Sequence, residues 1–188
     1  MSLSASGESP TKAQNGSVYS IYLMRHGIAV QRGSHGASSD AERSLTAKGR
    51  RKMQEVADAL QRVGFEVDWI VSSPLARAAQ TAEIVAETVS SQAPLDFCNA
   101  LRPGGSAQEL LAHLSRRPSR RQVLLVGHEP DLSALASRLI GSPRLANLAF
   151  KKGGCCLIHF EHPPWEAAGQ LSWWLTPRLL RGIGRADR

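Results

Sequence analysis

Apolar positions change their spacing several times along the chain, and each change marks an element. Ser17 to Met24 alternates β-branched and aromatic residues at period two and reads as a strand, ending on Arg25-His26-Gly27. From Ile28 to Leu45 the sequence turns polar and reads as a long loop, a length that inside a compact domain is often functional. Thr46 then caps a helix running to about Val63. Met53, Val56, Ala57 and Leu60 form its apolar face, and Gly64 stops it. Trp69 to Ser72 is a short second strand. Ser73-Pro74 fits an N-cap and first helical position, and Leu75, Ala78, Ala79, Ala82, Val85 and Val89 continue as one stripe.

Leu95 to Cys98 reads as a third strand, and Ala107 to Leu114 as a short helix after the turn at Gly104-Gly105. Gln122 to Val126 is continuously apolar, as expected of a strand buried on both faces. A helix from about Pro130 to Ile140 follows, with Leu132, Leu135, Ala136 and Leu139 inward. Two last strands, Cys155 to Phe160 and Gln170 to Leu175, are joined through His162-Pro163-Pro164. Strands alternating with helices predict an α/β fold, a three-layer α/β/α sandwich around a mostly parallel sheet. No internal repeat or linker divides it, so residues 17–176 read as one domain. Met1 to Gly16, rich in Ser, Gly, Thr and Asn, reads as a disordered tail, and Pro177 to Arg188 as a basic, frayed one.

Composition narrows the picture. The 188 residues, 42% of them hydrophobic, suffice for one full core. A formal net charge of +7 and a sequence pI near 9.9 favour anionic partners. With 5% aromatics and no binding motif, a nucleic-acid partner is not indicated. Cys98, Cys155 and Cys156 are an odd set without framework spacing, which points to reduced thiols filling core space in the cytoplasm. No segment approaches the roughly 20 apolar residues that cross a bilayer. No membrane partner and no export are expected.

The chemistry gathers at strand ends, where open α/β sheets bind their ligands. Arg25-His26-Gly27 follows the first strand. Ser72-Ser73-Pro74-Leu75-Ala76-Arg77 follows the second, with Arg77 in the first turn of a helix whose N-terminus favours anions. Gly127-His128-Glu129-Pro130 follows the buried strand, again before a helix. Two arginines and two histidines converging on one pocket make a receptor for a doubly charged oxyanion, most naturally a phosphoryl group.

Arg25-His26-Gly27, Ser73-Pro74-x-x-Arg77-x-x-Gln80-Thr81 and Gly127-His128, in this order, resemble the signature of the histidine phosphatase superfamily, which includes the phosphoglycerate mutases. The similarity runs from about Ser17 to Thr176. Asp40-x-x-Arg43-x-Leu45-Thr46-x-x-Gly49, Leu101-x-Pro103-Gly104-Gly105 and Trp174-x-Thr176-Pro177 look most like the small phosphohistidine phosphatases. The Trp-Glu-Gly type motif of the mutases has no equivalent between Asp96 and Glu109. The resemblance implies a phosphoglycerate mutase-like sandwich and a phosphatase with His26 as nucleophile, passing through a phosphohistidine. Arg25, Arg77 and His128 would hold the phosphoryl oxygens, and neither metal nor cofactor is implied. For the general acid it offers Asp40 first and Glu129 second. The implied substrate is a phosphorylated one, a phosphotransfer-domain protein foremost, because the Ile28 to Leu45 loop leaves room for it.

The alternatives are a small-molecule phosphomonoesterase, a mutase-like phosphotransferase, and a non-catalytic anion- or protein-binding module. Arg43 either extends the phosphate site or pairs with Asp40 or Glu42. His35, His113, His159 and His162 stand outside any motif, and surface or core packing is their expected role. Arg116 to Arg121 reads as a solvated turn able to meet an acidic partner, and Trp173 and Trp174 as cover for the sheet edge.

Overall fold

The computed structural model describes residues 19–33, 39–89, 92–142 and 148–184. Its centre is a sheet of six strands: β1 (Tyr19–Arg25), β2 (Trp69–Ser72), β3 (Leu95–Phe97), β4 (Gln122–Gly127), β5 (Cys155–Phe160) and β6 (Gln170–Leu175). They lie in the order β3-β2-β4-β1-β5-β6. β3, β2, β4 and β1 pair in parallel, while β5 and β6 run antiparallel at one side. The sheet is therefore mostly parallel.

The alternation of side chains along each strand builds the outer layers. Ile21, Leu23, Val123 and Leu125 face one way and pack with Leu110, Leu114, Leu132, Leu135 and Leu139. Those leucines come from α3 (Ala107–Ser115) and α4 (Asp131–Leu139). Tyr22, Met24, Leu124 and Val126 face the other way, onto Met53, Val56, Leu60, Ala78, Ala82, Val85 and Leu180. These belong to α1 (Ala47–Arg62), α2 (Ala76–Thr88) and α5 (Pro177–Ile183). The result is the three-layer α/β/α sandwich that the alternation predicts.

Several boundaries differ, each for a physical reason. β1 continues to Arg25, one residue past the apolar run; its expected first residue, Ser17, and the expected tail 1–16 lie outside the described residues. α2 starts at Ala76 with Leu75 at the N-cap position, so Ser73 does not cap it. Pro177 to Ile183 is a helix rather than a frayed tail. Thr176 caps it by accepting from Leu179 N, and Leu180 is 1% exposed against the face of α1. Residues 185–188 lie outside the described residues.

The basic run is not simply solvated either. It sits at the amino ends of the parallel strands, away from the site. Arg117 pairs with Asp96 and lies 4.8 Å over the Trp69 ring. Arg120 Nη1 donates to the Asp68 carbonyl at 2.7 Å, and Arg121 N to Asp68 Oδ2 at 2.8 Å. It clasps strand starts. Of the motif-free histidines, His113 stacks on Trp69 and His159 bonds the Ser20 hydroxyl at 3.0 Å; His162 is exposed and His35 lies outside the described residues. Trp173 and Trp174 do stand on the edge strand, packing against Tyr22 and Phe150 on opposite faces. Cys98, Cys155 and Cys156 are buried and unpaired, as their spacing predicts.

Candidate active site

The parallel register brings the three motifs side by side. Arg25 is in register with Gly127, His26 N donates to the Gly127 carbonyl at 3.1 Å, and Ser73 N to the Val126 carbonyl at 2.9 Å. The backbone turning out of β1 is fixed from two sides. Gly27 N donates to Thr81 Oγ1 at 3.0 Å, and that hydroxyl donates to the Arg77 carbonyl at 2.7 Å, so the second motif holds the first. On the other side Thr46 N donates to the Ile28 carbonyl at 2.9 Å. A Cβ at Gly49 would lie 2.0 Å from that carbonyl oxygen, so only glycine lets α1 begin so close to the loop that follows His26.

His26, 6% exposed, has its Nδ1 2.7 Å from its neighbour Gly27's carbonyl oxygen. A carbonyl only accepts, so the ring proton sits on Nδ1 and the Nε2 lone pair is left bare. Burial, with His128, Arg77 and Arg25 nearby, lowers the His26 pKa to about 3, so the ring is neutral at pH 7. His128 is likewise lowered to about 4, by burial and then by Arg77. Its ring centroid is 5.1 Å from that of His26. His128 Nε2 lies 2.9 Å from Ser73 Oγ, which already accepts from Leu75 N. His128 Nδ1 is a buried atom without a partner. That is why Ser73 does not cap α2: its oxygen orients a histidine instead.

Arg77 is 4% exposed; Nη1 donates to the Asp40 carbonyl at 2.7 Å and Nη2 to Asp40 Oδ2 at 3.0 Å. Arg25 Nη1 donates to the Phe150 carbonyl at 2.7 Å, while its buried Nε has no partner. Arg43 pairs with Asp40, as one of its two expected roles has it, Nη1 lying 2.7 Å from Asp40 Oδ1, and its side chain lines the cavity. Asp40 lies in a single 3₁₀ turn, Asp40–Glu42, inside the loop. Arg25, His26, Asp40, Arg43, Arg77, His128 and Glu129 line one cavity of about 310 Å³. Every candidate from the sequence is there. A second cavity of about 240 Å³ adjoins it at His128, walled by Leu101, Leu110, Leu132 and Leu135.

The model of the histidine phosphatase superfamily (branch 1) matches residues 21–102. An uncharacterized protein of Picosynechococcus sp. strain PCC 7002 is 38% identical over 71% of this chain and 81% of its own length. The chain belongs to the histidine phosphatase superfamily. A Salmonella typhi protein named probable phosphoglycerate mutase GpmB is 26% identical over 85% of this chain and 96% of its own. Among solved structures, the protein histidine phosphatase SixA complexed with tungstate superposes with a TM-score of 0.74 at 24% identity, covering 86% of this chain and 99% of that one. The fold is thus phosphoglycerate mutase-like, and membership supports a phosphatase or mutase-like activity.

In this member of the superfamily both acidic candidates reach the cavity as hydrogen-bond acceptors. Asp40 receives Arg43, Arg77 and, at 3.2 Å, Arg32. The Arg43 guanidinium, then Arg77, holds its carboxyl well below the usual carboxylate range against the opposing effect of burial. Glu129 accepts from Ser133 Oγ at 2.7 Å and from Phe150 N at 2.7 Å. Phe150 is thereby gripped at both peptide groups, by Arg25 and by Glu129. Among the described residues, no group of three or more His, Cys, Asp or Glu is placed to hold a metal ion, and no helix is long and apolar enough to cross a membrane.

Lys152 and Arg32 also line the cavity, and sequence reading missed both. A signal for Lys152 existed. An antiparallel neighbour of β1 must start where β1 ends, so the residues just before β5 belong to the site end of the sheet.

Two neutral buried histidines predict a pH-dependent stability. Unfolded, each regains a pKa near 6.5 and binds a proton as pH falls below that value, while the folded forms wait until about 4 and 3. Stability is complete above pH ~6.5 and lost on acidification, by up to ~1.4 kcal/mol per pH unit for each histidine. Urea unfolding of wild type and of His26→Gln between pH 4.5 and 7.5 checks this. The variant's slope should be shallower, and equal slopes would refute it.

Proposed function

We propose that the chain is a metal-independent phosphatase that removes phosphoryl groups from histidine in proteins. The observation that carries this reading is the state of His26: neutral, fixed by the Gly27 carbonyl with Nε2 bare, in a cavity lined by Arg25, Arg43, Arg77 and Lys152. Nε2 attacks phosphorus, the bond to the leaving group breaks, and the phosphoryl group rests on His26. Water then cleaves the nitrogen–phosphorus bond and releases inorganic phosphate. Arg25 Nε and His128 Nδ1, both buried nitrogens without partners, join Arg77 in binding the phosphoryl oxygens. The fixed charge of Arg25 and Arg77 does what a metal ion does in other phosphoryl-transfer enzymes.

The two carboxylates favour phosphohistidine as substrate. An ester's leaving alkoxide needs a proton in the transition state. Asp40 is ionised among guanidinium groups and has no proton in hand, and Glu129 already accepts hydrogen bonds from Ser133 and Phe150. A phosphorylated imidazole takes its proton from water near neutral pH and asks least of such a site. Asp40 becomes available as a proton carrier once Arg77 turns to substrate. The three buried thiols support a reducing, cytoplasmic setting.

The test is kcat/KM, in chelator, for a phosphorylated histidine phosphotransfer domain, an aryl phosphate and an alkyl phosphate. The phosphohistidine should exceed the alkyl ester by at least ~100-fold, with the aryl ester between. An alkyl ester turned over as fast as phosphohistidine would move the assignment to a phosphomonoesterase.

A further inference from the structure

α1 carries its charge against its own dipole. Ala47-Lys48-Gly49-Arg50-Arg51-Lys52 opens the helix with basic residues and no acidic one in the first turn, where the exposed N–H groups favour acids. Local rules broken in this way, without internal compensation, concentrate at functional positions. A cavity of about 390 Å³ lies beside that turn, between α1, the segment before β5 and the start of α5. Lys52, Lys151 and Lys152 line it, and Arg25 forms its border with the phosphate cavity. Arg181, also on its wall, is paired with Glu55 at 3.4 Å, but the three lysines form no salt bridge among the described residues. Arg25 and Lys152 line both cavities, and Arg25 Nε is buried and unpartnered.

We infer that this cavity is a second anion subsite, taking a carboxylate or phosphate carried on the same substrate as the phosphoryl group. The inference rests on the phosphatase reading for the first site. It also adds something that reading lacks, a reason to prefer substrates with a second negative charge close to the phosphoryl group. Lysine suits the task, since its compact charge on a flexible stem can meet an anion of varied geometry. The charge has two natural sources: an acidic side chain flanking a phosphohistidine in a protein, or a second phosphate on a small molecule.

The double variant Lys52→Ala/Lys151→Ala separates this subsite from the chemistry, because neither residue lines the phosphate cavity. Three substrates are compared in wild type and variant: 4-nitrophenyl phosphate, alkanediol bisphosphates of two to six carbons, and phosphohistidine peptides flanked by Asp/Glu or by Asn/Gln. Turnover of the aryl phosphate should stay within about twofold. KM should rise at least ~10-fold for the bisphosphates, the acidic peptide, or both, and the arm that responds names the source. Unchanged KM in both arms overturns the subsite.

Binding is read independently of turnover in His26→Ala, by amide NMR shifts on titration with inorganic phosphate. Gly49 and Lys151 should respond, and should cease to respond once Lys52 and Lys151 are replaced by alanine. No response at Gly49 and Lys151 before that replacement overturns the subsite. Loss of aryl phosphate turnover in wild type would instead count against the phosphatase reading, leaving this binding result to stand or fall alone.

Discussion

His26→Ala should lower kcat by about 10⁴-fold or more with any phosphorylated substrate, the size of loss seen when a covalent nucleophile is removed. No neighbour can take over. His128 is the other imidazole among the described residues lining the cavity, but its Nε2 lies 2.9 Å from Ser73 Oγ and its Nδ1 is buried. The buried cysteines do not line the cavity, and burial raises the thiol pKa of Cys155 well above its ordinary value and that of Cys156 to about 12. The variant should remain folded, which the thermal transition and far-UV circular dichroism will show. Rapid quench with ³²P-labelled substrate gives the complementary result: acid-labile, base-stable label on His26 in wild type and none in the variant. A folded variant keeping 1% of wild-type kcat would place the nucleophile elsewhere.

Arg77→Ala should cost about 10²–10³-fold in kcat/KM, the usual scale for removing one preorganised donor from a developing oxyanion. Arg77→Lys should recover little, because an ammonium cannot offer two parallel donors in a plane. Arg77 also fastens the Asp40 turn through two hydrogen bonds, so its loss has a second expected sign. With one guanidinium gone, the Asp40 carboxyl should titrate nearer to its ordinary range, visible as a carboxyl carbon shift by NMR. An Arg77→Ala protein with near wild-type kcat/KM would remove this side chain from the phosphoryl-binding set.

Most of the scaffold was legible because its periodicities are clean. Trp69–Ser72, Cys155–Phe160 and Gln170–Leu175 are strands with the very limits that alternation suggests. What escaped was set by tertiary partners. Ser73-Pro74 looks like a helix start, yet the serine oxygen is taken by His128 and Leu75 N, and the helix waits until Ala76. α5 is short and exposes Leu179 and Ile183, so its amphipathic pattern is weak; only Leu180 is deeply buried. The arginines before β4 look like a charge run because nothing local hints at Asp68, Asp96 and two aromatic rings as their partners. At the site the motif residues were legible one by one, being polar groups at strand ends. Lys152 was not, since its place depends on which way β5 runs.

Asp40 places an anion of the chain's own among the arginines of the site. Its carboxylate sits among Arg32, Arg43 and Arg77, the last of which the proposed phosphoryl group would also engage, and it is tethered by the chain, so paying no entropy of association. An incoming ligand therefore has to outcompete a resident anion rather than fill a vacancy. A singly charged competitor such as acetate or chloride gains almost nothing by the exchange, whereas a dianion gains the difference of one charge across several fixed donors. The enzyme should for that reason ignore the carboxylates and chloride of its surroundings, with discrimination built into the resting state itself.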